Sequence, residues 1–216
     1  NPDYVKWKLA SDDYKNIPNL KGIFGAATAT HWIDKFYAND NNIPICDIKN
    51  FSTEAVAEWA TMMMLNIARQ MPRLIKDGFP LDFDKDYMKY RGVELRGKKA
   101  GIIGLGHIGT AIADRCRGLG MEVIYWSRSS KQSEHRLVDI DVLLSEADVI
   151  FPTMSLNDET KNILTNNSLK TLKPTAILVA IESHLFNLEL ILQMVKDGQL
   201  YGFGFEAEPG QFNAYE

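Results

Sequence analysis

The chain of 216 residues contains only two cysteines, Cys46 and Cys116, too few for a disulfide framework. It lacks an apolar run of the roughly 18 residues that a membrane-spanning helix needs, since the methionine-rich run 62–65 stops at Asn66. It has no excess of basic residues, and its formal charge is −4. Nucleic acid and anionic membranes are therefore not expected partners. No signal peptide, repeat or low-complexity segment is visible either, so we expect a cytoplasmic protein with reduced thiols.

The most informative pattern lies in the middle of the chain. The apolar run 100–103 predicts a buried strand, and Gly104, Gly106 and Gly109 follow it at G-x-G-x-x-G spacing. Apolar residues then recur at helical intervals before a second predicted strand at 122–126. This order of strand, glycine turn, helix and strand is typical of a site for the phosphates of a dinucleotide.

Each glycine has a physical role in such a site. Gly104 permits the tight turn, Gly106 lets the backbone approach the pyrophosphate, and Gly109 lets helix and strand pack closely. The helix then begins near His107 and Ile108 with free N–H groups and a positive dipole end. Glycines in such a turn can also be purely structural, but the flanking elements favour the phosphate site.

The rest of the chain alternates between strand and helix patterns. Strands are predicted at 20–24, 43–48, 148–151, 176–181 and 200–205, and helices at 52–71, 138–147 and 188–196. Ser52 or Thr53 is a suitable N-cap for the long first helix. Such alternation predicts an α/β fold with a doubly wound parallel sheet, of the Rossmann type.

An ordered series of motifs from about residue 20 to 209 resembles the NAD(P)-dependent D-2-hydroxyacid dehydrogenases. The series includes STEAVAE at 52–58, ELRGK at 94–98 and KPTAILV at 173–179. The resemblance implies hydride transfer between a nicotinamide cofactor and a small 2-keto or 2-hydroxy acid. It also implies a homodimer in which the helix 52–71 packs across a two-fold axis.

The same resemblance implies a division into domains. Residues 1–47 would form part of a smaller, incomplete flavodoxin-like substrate domain. Residues 48–210 would form the NAD(P)-binding Rossmann domain, and 211–216 would begin the return to the substrate domain.

The candidate catalytic residues depart from the family pattern. Glu182 stands where the family has its catalytic Arg, and His184 follows two residues later. A carboxylate at that position would repel an anionic substrate. Three arrangements would avoid this repulsion. Glu182 can turn away and cap the helix expected from Asn187, or burial can keep its carboxyl group protonated. Alternatively, the substrate is a neutral carbonyl compound. His184 would then face the nicotinamide, although a surface or loop-capping histidine is the simpler interpretation.

The family's acid/base histidine would come after Glu216, where this sequence stops. Its carboxylate partner corresponds best to Glu208, with Glu206 as a competitor and a solvated rim carboxylate as the alternative. The backbone N–H groups of Ala27, Thr28 and Ala29 would hold the substrate carboxylate. Two alanines stand in this loop where the family usually has glycine.

The residues after the second strand of the glycine motif concern the choice of cofactor. NAD-dependent proteins place a carboxylate there to bind the ribose 2′-OH, whereas this chain has Ser127, Arg128 and Ser129. The serine hydroxyls and the guanidinium fork suit a 2′-phosphate, so we predict NADP, with NAD as the second choice. A solvated basic turn is the alternative. Ser155, after a later strand, is a further candidate cofactor contact.

No metal site is expected, because the histidines lack carboxylate or cysteine neighbours at ligand spacing. The sequence therefore favours an oxidoreductase that acts on a small 2-keto acid. The alternative is a catalytically weak or inactive dinucleotide-binding sensor or partner-binding protein that has lost the catalytic Arg.

Overall fold

The computed structural model of the chain describes residues 16–25, 33–78, 88–129, 132–155, 160, 163–181 and 185–206. Its contacts divide the chain into two compact units, Asn1–Thr53 and Glu54–Glu216. In the described part, no helix combines the length and the apolar character needed to cross a membrane.

The first unit contains two short parallel strands with a helix between them. They are β1 (Ile23–Gly25), α1 (Lys35–Asp40) and β2 (Ile45–Asp47). The helix begins after Asp34, whose carboxylate accepts a hydrogen bond of 3.1 Å from the Tyr37 N–H. Both strands are shorter than predicted: β2 lies within the predicted stretch 43–48, whereas β1 overlaps the predicted stretch 20–24 and extends one residue beyond it.

The second unit is built around a six-stranded parallel sheet in the order β5-β4-β3-β6-β7-β8. Its elements are α2 (Thr53–Ala68), α3 (Met71–Lys76), β3 (Lys99–Ile103), α4 (His107–Gly118), β4 (Glu122–Trp126), β5 (Arg136–Leu137), α5 (Ile140–Glu146), β6 (Val149–Pro152), α6 (Asn166–Leu169), β7 (Ile177–Ala180), α7 (Leu188–Lys196) and β8 (Gly202–Phe205). The predicted doubly wound α/β fold is confirmed. The strand order reverses between β3 and β6, which places a crevice at their carboxyl ends.

Apolar side chains cover both faces of this sheet. Ile102 packs in the layer that contains Met64 of α2 and Ile112 of α4, whereas Ile103 packs in the layer that contains Leu143 of α5. Burial of each such side chain stabilises the fold by about 1.5–3 kcal/mol. The apolar runs that predicted buried strands are therefore continuous because both faces are covered.

The helix predicted over 52–71 was too long. Helix α2 ends at Ala68, and Gln70 adopts the left-handed conformation with φ 60°. Helix α3 then starts at Met71 with Pro72 in its first turn, so the proline begins a helix where the sequence suggested an end. Gln70 is held by a hydrogen bond of 2.6 Å from its Nε2 to the Tyr201 hydroxyl.

An ion cluster braces the amino ends of β3 and β6. The Asp148 carboxylate accepts hydrogen bonds from the Lys99 N–H at 2.9 Å and from Lys173 Nζ at 3.0 Å. Burial opposes ionisation, but these two donors outweigh it and hold the pKa of Asp148 below its ordinary value. This end of the sheet lies opposite the crevice and serves the fold.

Candidate functional site

The glycine turn lies at the carboxyl end of β3, as predicted. Gly104 adopts φ +101°, a region that a residue with a side chain rarely enters. Its N–H donates to the Trp126 carbonyl at 2.8 Å, and its own carbonyl accepts from the Gly106 N–H at 2.9 Å. These bonds fold the chain sharply from the strand into the following helix.

Helix α4 begins directly after Gly106, which is the extended N-cap. Glycine has no side chain to cap the helix, and among the described residues no side-chain cap bond is seen at this position. The first N–H groups of an α-helix have no partner inside the helix, and the dipole adds a partial positive charge there. His107 and Thr110 are exposed in this first turn, whereas Ile108 is half-buried. Such a helix start has the backbone donors and the partial charge that suit a bound anion.

Open space lies above Gly106. A Cβ built at this position meets no atom within 4 Å, and its φ of −89° suits any residue. Neither packing nor backbone conformation within the described chain therefore requires glycine here. A ligand that approaches the backbone closely would require it.

Gly109 is required by packing instead. A Cβ there would overlap the Gly104 carbonyl oxygen and lie 2.8 Å from Thr153 Oγ1 and 3.0 Å from Ile102 Cγ2. The Thr153 hydroxyl donates to the same Gly104 carbonyl at 2.6 Å. Sequence reasoning missed Thr153, because a threonine at the end of a strand has no motif of its own.

The loop after β6 is held by a second threonine. Thr160 is the buried polar residue of the described core, and its hydroxyl donates to the Ser155 carbonyl at 2.7 Å. Ser155 itself is exposed. The candidate contact at Ser155 thus lies on a braced segment at the same edge of the sheet as the glycine turn.

The residues after β4 are the candidates for the choice of cofactor. Ser127 is half-buried, and Arg128 and Ser129 are exposed. Because β3 and β4 are parallel neighbours, these side chains follow the strand end adjacent to the glycine turn. The described residues 127–129 include no carboxylate.

The acidic residue nearest in sequence on the described loop, Glu134, forms an ion pair with Arg117. Loss of hydration and the Arg117 charge lower the pKa of the neighbouring His135. Both effects favour the neutral form of this histidine.

The candidate catalytic residues Glu182, His184 and Glu208 lie outside the described residues, as do Ala27, Thr28 and Ala29. The described chain places Ile181 directly after β7 and Glu206 directly after β8. Since these strands run parallel to β3, their carboxyl ends share the edge that carries the glycine turn.

Two described residues near this edge, Glu206 and Asn187, concern the roles considered for Glu208 and Glu182. Loss of hydration raises the pKa of the Glu206 carboxyl, and its N–H donates to the Ala180 carbonyl at 3.1 Å. Asn187 caps α7 with its own side chain, which accepts from the Leu190 N–H at 3.2 Å. Asn187 therefore already caps the Leu190 N–H, one of the groups that Glu182 was considered to cap.

Metal chemistry has no support in the described part of the chain, where no group of three or more His, Cys, Asp and Glu side chains could hold an ion. What the described site offers is a set of backbone donors for phosphate and polar side chains beside it.

Comparisons with known proteins agree with this geometry. Residues 61–213 match the family model described as D-isomer specific 2-hydroxyacid dehydrogenase, NAD binding domain. The chain is 32% identical over 206 residues to a glycerate dehydrogenase from Methylorubrum extorquens, a match that covers 93% of this chain. It is 31% identical over 216 residues to a glyoxylate reductase from Thermococcus litoralis, with 94% of this chain covered. The chain spans 65% of the length of each of these relatives.

A solved structure supports the fold. The crystal structure of a D-lactate dehydrogenase from Aquifex aeolicus, complexed with NAD and lactic acid, matches with a TM-score of 0.85 at 23% identity. The match covers 94% of this chain and 62% of that chain.

Proposed function

The chain belongs to the D-isomer specific 2-hydroxyacid dehydrogenase family, and from this premise we propose that it is an oxidoreductase. In this proposal it transfers a hydride between NADP(H) and a small 2-keto or 2-hydroxy acid. The observation that carries the proposal is the open glycine turn before an uncapped helix.

The residues of the turn fit the diphosphate of a dinucleotide. The N–H groups at the start of α4 would hold the phosphate oxygens, and the open backbone at Gly106 admits them without a clash. In this proposal His107 and Ile108, in the first turn of α4, would contact the phosphates, and the exposed Ser155 would add a hydroxyl from the loop after β6. A bound nicotinamide would supply or accept the hydride.

The preference for NADP rests on the end of β4. Arg128 offers a planar fork of donors to a 2′-phosphate, and Ser127 and Ser129 add hydroxyl groups. The segment has no carboxylate that would repel the phosphate. NAD remains the second choice.

Substrate binding is proposed on residues outside the described part. The amides of Ala27, Thr28 and Ala29 would hold the substrate carboxylate, a contact that needs no side chain. Glu182 cannot replace the family's Arg, since two unit charges about 4 Å apart repel by roughly 4 kcal/mol at an effective dielectric near 20. We therefore place His184 nearer the nicotinamide than Glu182 and expect weak or narrow activity.

A carboxyl group beside the acid/base position completes the proposed chemistry. Glu208 is the first choice for this role, and Glu206 competes with it. Loss of hydration raises the pKa of the Glu206 carboxyl, which favours its protonated form, whereas the role beside a histidine needs the carboxylate.

The second candidate function is a dinucleotide-binding sensor or partner-binding protein without turnover. The substitution of Glu182 for the family's Arg favours it. Such a protein would still bind the phosphates of the dinucleotide but would no longer bind the substrate carboxylate.

The proposed organisation assigns 1–47 to the substrate domain, 48–210 to the cofactor domain and 211–216 to the return segment. We also propose a homodimer through α2, because Met62 and Leu65 leave 48% and 37% of their surfaces exposed. A monomer in sedimentation at micromolar concentration would exclude it. The cytoplasmic location stays a prediction from cysteine usage.

Turnover separates the two candidate functions. Oxidation of NADPH is followed with glyoxylate, pyruvate and hydroxypyruvate, for the natural chain and for Glu182→Arg and His184→Ala. The enzyme proposal expects slow turnover that Glu182→Arg raises and His184→Ala lowers. Cofactor binding without any turnover, together with two silent variants, would replace it with the sensor.

A further inference from the structure

Thr153, the residue directly after β6, is hydrogen-bonded both to the end of β3 and to the glycine turn. Its backbone N–H donates to the Ile103 carbonyl at 2.9 Å and continues the pairing of β6 with β3. Its hydroxyl makes a separate bond of 2.6 Å to the Gly104 carbonyl. The second contact of this hydroxyl, to the Ile103 carbonyl, is 3.3 Å long, so the proton points to Gly104.

The Gly104 carbonyl oxygen accepts the hydrogen bonds that hold the turn together. It accepts both the Thr153 hydroxyl and the Gly106 N–H. It also fills the space that a Cβ at Gly109 would occupy. On the other side, Met154 Cγ lies 2.6 Å from the position of a Cβ built at Gly104, so the turn is enclosed from two directions.

We propose that the Thr153 hydroxyl is a positioning residue for the diphosphate of the cofactor, an inference that rests on the proposed function. Its bond to the Gly104 carbonyl fixes the position of the turn relative to the end of β3, and hence the position of the first residues of α4. The first N–H groups of that helix, at His107 and Ile108, would then point at the phosphate oxygens at hydrogen-bonding distance. The residue does not touch the ligand in this account and acts only through the turn.

The geometry separates this role from general packing. Strand pairing uses the backbone N–H of Thr153, which any non-proline residue supplies. Without the hydroxyl, the Gly104 carbonyl keeps its bond from Gly106, so no buried acceptor is left without a partner. Removal of the hydroxyl therefore loosens the turn and leaves the sheet intact.

The test compares ADP, which carries the diphosphate, with adenosine, which lacks it. Binding is measured by calorimetry or by ligand NMR for the full chain and for two variants that lose the hydroxyl, Thr153→Val and Thr153→Ala. The alanine variant avoids the methyl group that valine would place close to the Gly104 carbonyl oxygen, which is 2.6 Å from the present hydroxyl. Thr153→Ser restores the hydroxyl. Thr171→Val is the matched control, because it removes a hydroxyl-to-carbonyl bond of 2.7 Å far along the chain from the turn.

We expect Thr153→Val to weaken ADP binding about three- to tenfold, the range for loss of one such hydrogen bond. Adenosine binding should stay unchanged, Thr153→Ser should recover most of the ADP affinity, and Thr171→Val should bind both ligands normally. Unchanged ADP affinity in both Thr153→Val and Thr153→Ala would overturn the inference, as would an equal loss for ADP and adenosine. An unmutated chain that binds neither ADP nor NADPH would instead refute the proposed function itself.

Discussion

The substitution Gly109→Ala tests the packing of the glycine turn. The new methyl group would overlap the Gly104 carbonyl oxygen and crowd Thr153 Oγ1 and Ile102 Cγ2. Such overpacking costs about 3 kcal/mol at a site with little room, while alanine gains about 1 kcal/mol of helix propensity over glycine. The net loss of about 2 kcal/mol corresponds to a decrease in Tm of about 4–8 °C for a unit of this size.

Gly106→Ala is the matched control, because a Cβ there meets nothing within 4 Å. Its effect on stability should stay within about 1 kcal/mol, the cost of alanine at an N-cap. Both variants should bind NADPH at least about tenfold more weakly, Gly109→Ala because the turn moves and Gly106→Ala because the methyl occupies the approach of the phosphate. Thermal unfolding and NADPH titration measure the two effects. Full NADPH affinity in Gly106→Ala, or full stability in Gly109→Ala, would refute this reasoning.

Three other predictions follow from named side chains. Arg128→Ala should weaken NADP binding by about 1.5–3 kcal/mol with little effect on NAD, measured by paired titrations. Asp148→Asn should lower the free energy of unfolding by about 1–2 kcal/mol at neutral pH. Because the folded pKa of Asp148 is lowered, its stabilisation is present above its ordinary value of 3.8 and lost as pH falls through the lowered pKa, so the two stabilities should converge in acid. Burial raises the pKa of Cys116 to about 12, so a thiol reagent should label exposed Cys46 in the native chain and reach Cys116 only after unfolding.

The sequence predicted the parallel sheet and the glycine turn accurately, because their signals are local. Strand β4 and helix α7 match the predicted ranges fully, 122–126 and 188–196. Gly120 comes shortly before the strand, and Asn187 and Gly198 mark the two ends of the helix. Gly198, with φ +70°, ends α7 as its sequence pattern indicated.

Features that depend on tertiary contacts were missed. The left-handed Gln70 has no sequence signature, and its bond to Tyr201 joins residues 131 positions apart. Strand β5 has only two residues and too short a pattern to detect. The hydrogen bond from Thr153 to Gly104 likewise forms only because β6 pairs with β3, and no sequence motif predicts it.

Titration of the full chain with NADPH and NADH, each by calorimetry on the same protein, tests the central claim most directly. The account predicts that NADPH binds, and that it binds more tightly than NADH because Arg128 meets the 2′-phosphate. Equal affinities would contradict the cofactor preference. Binding of neither dinucleotide would contradict the assignment of the glycine turn as the cofactor site.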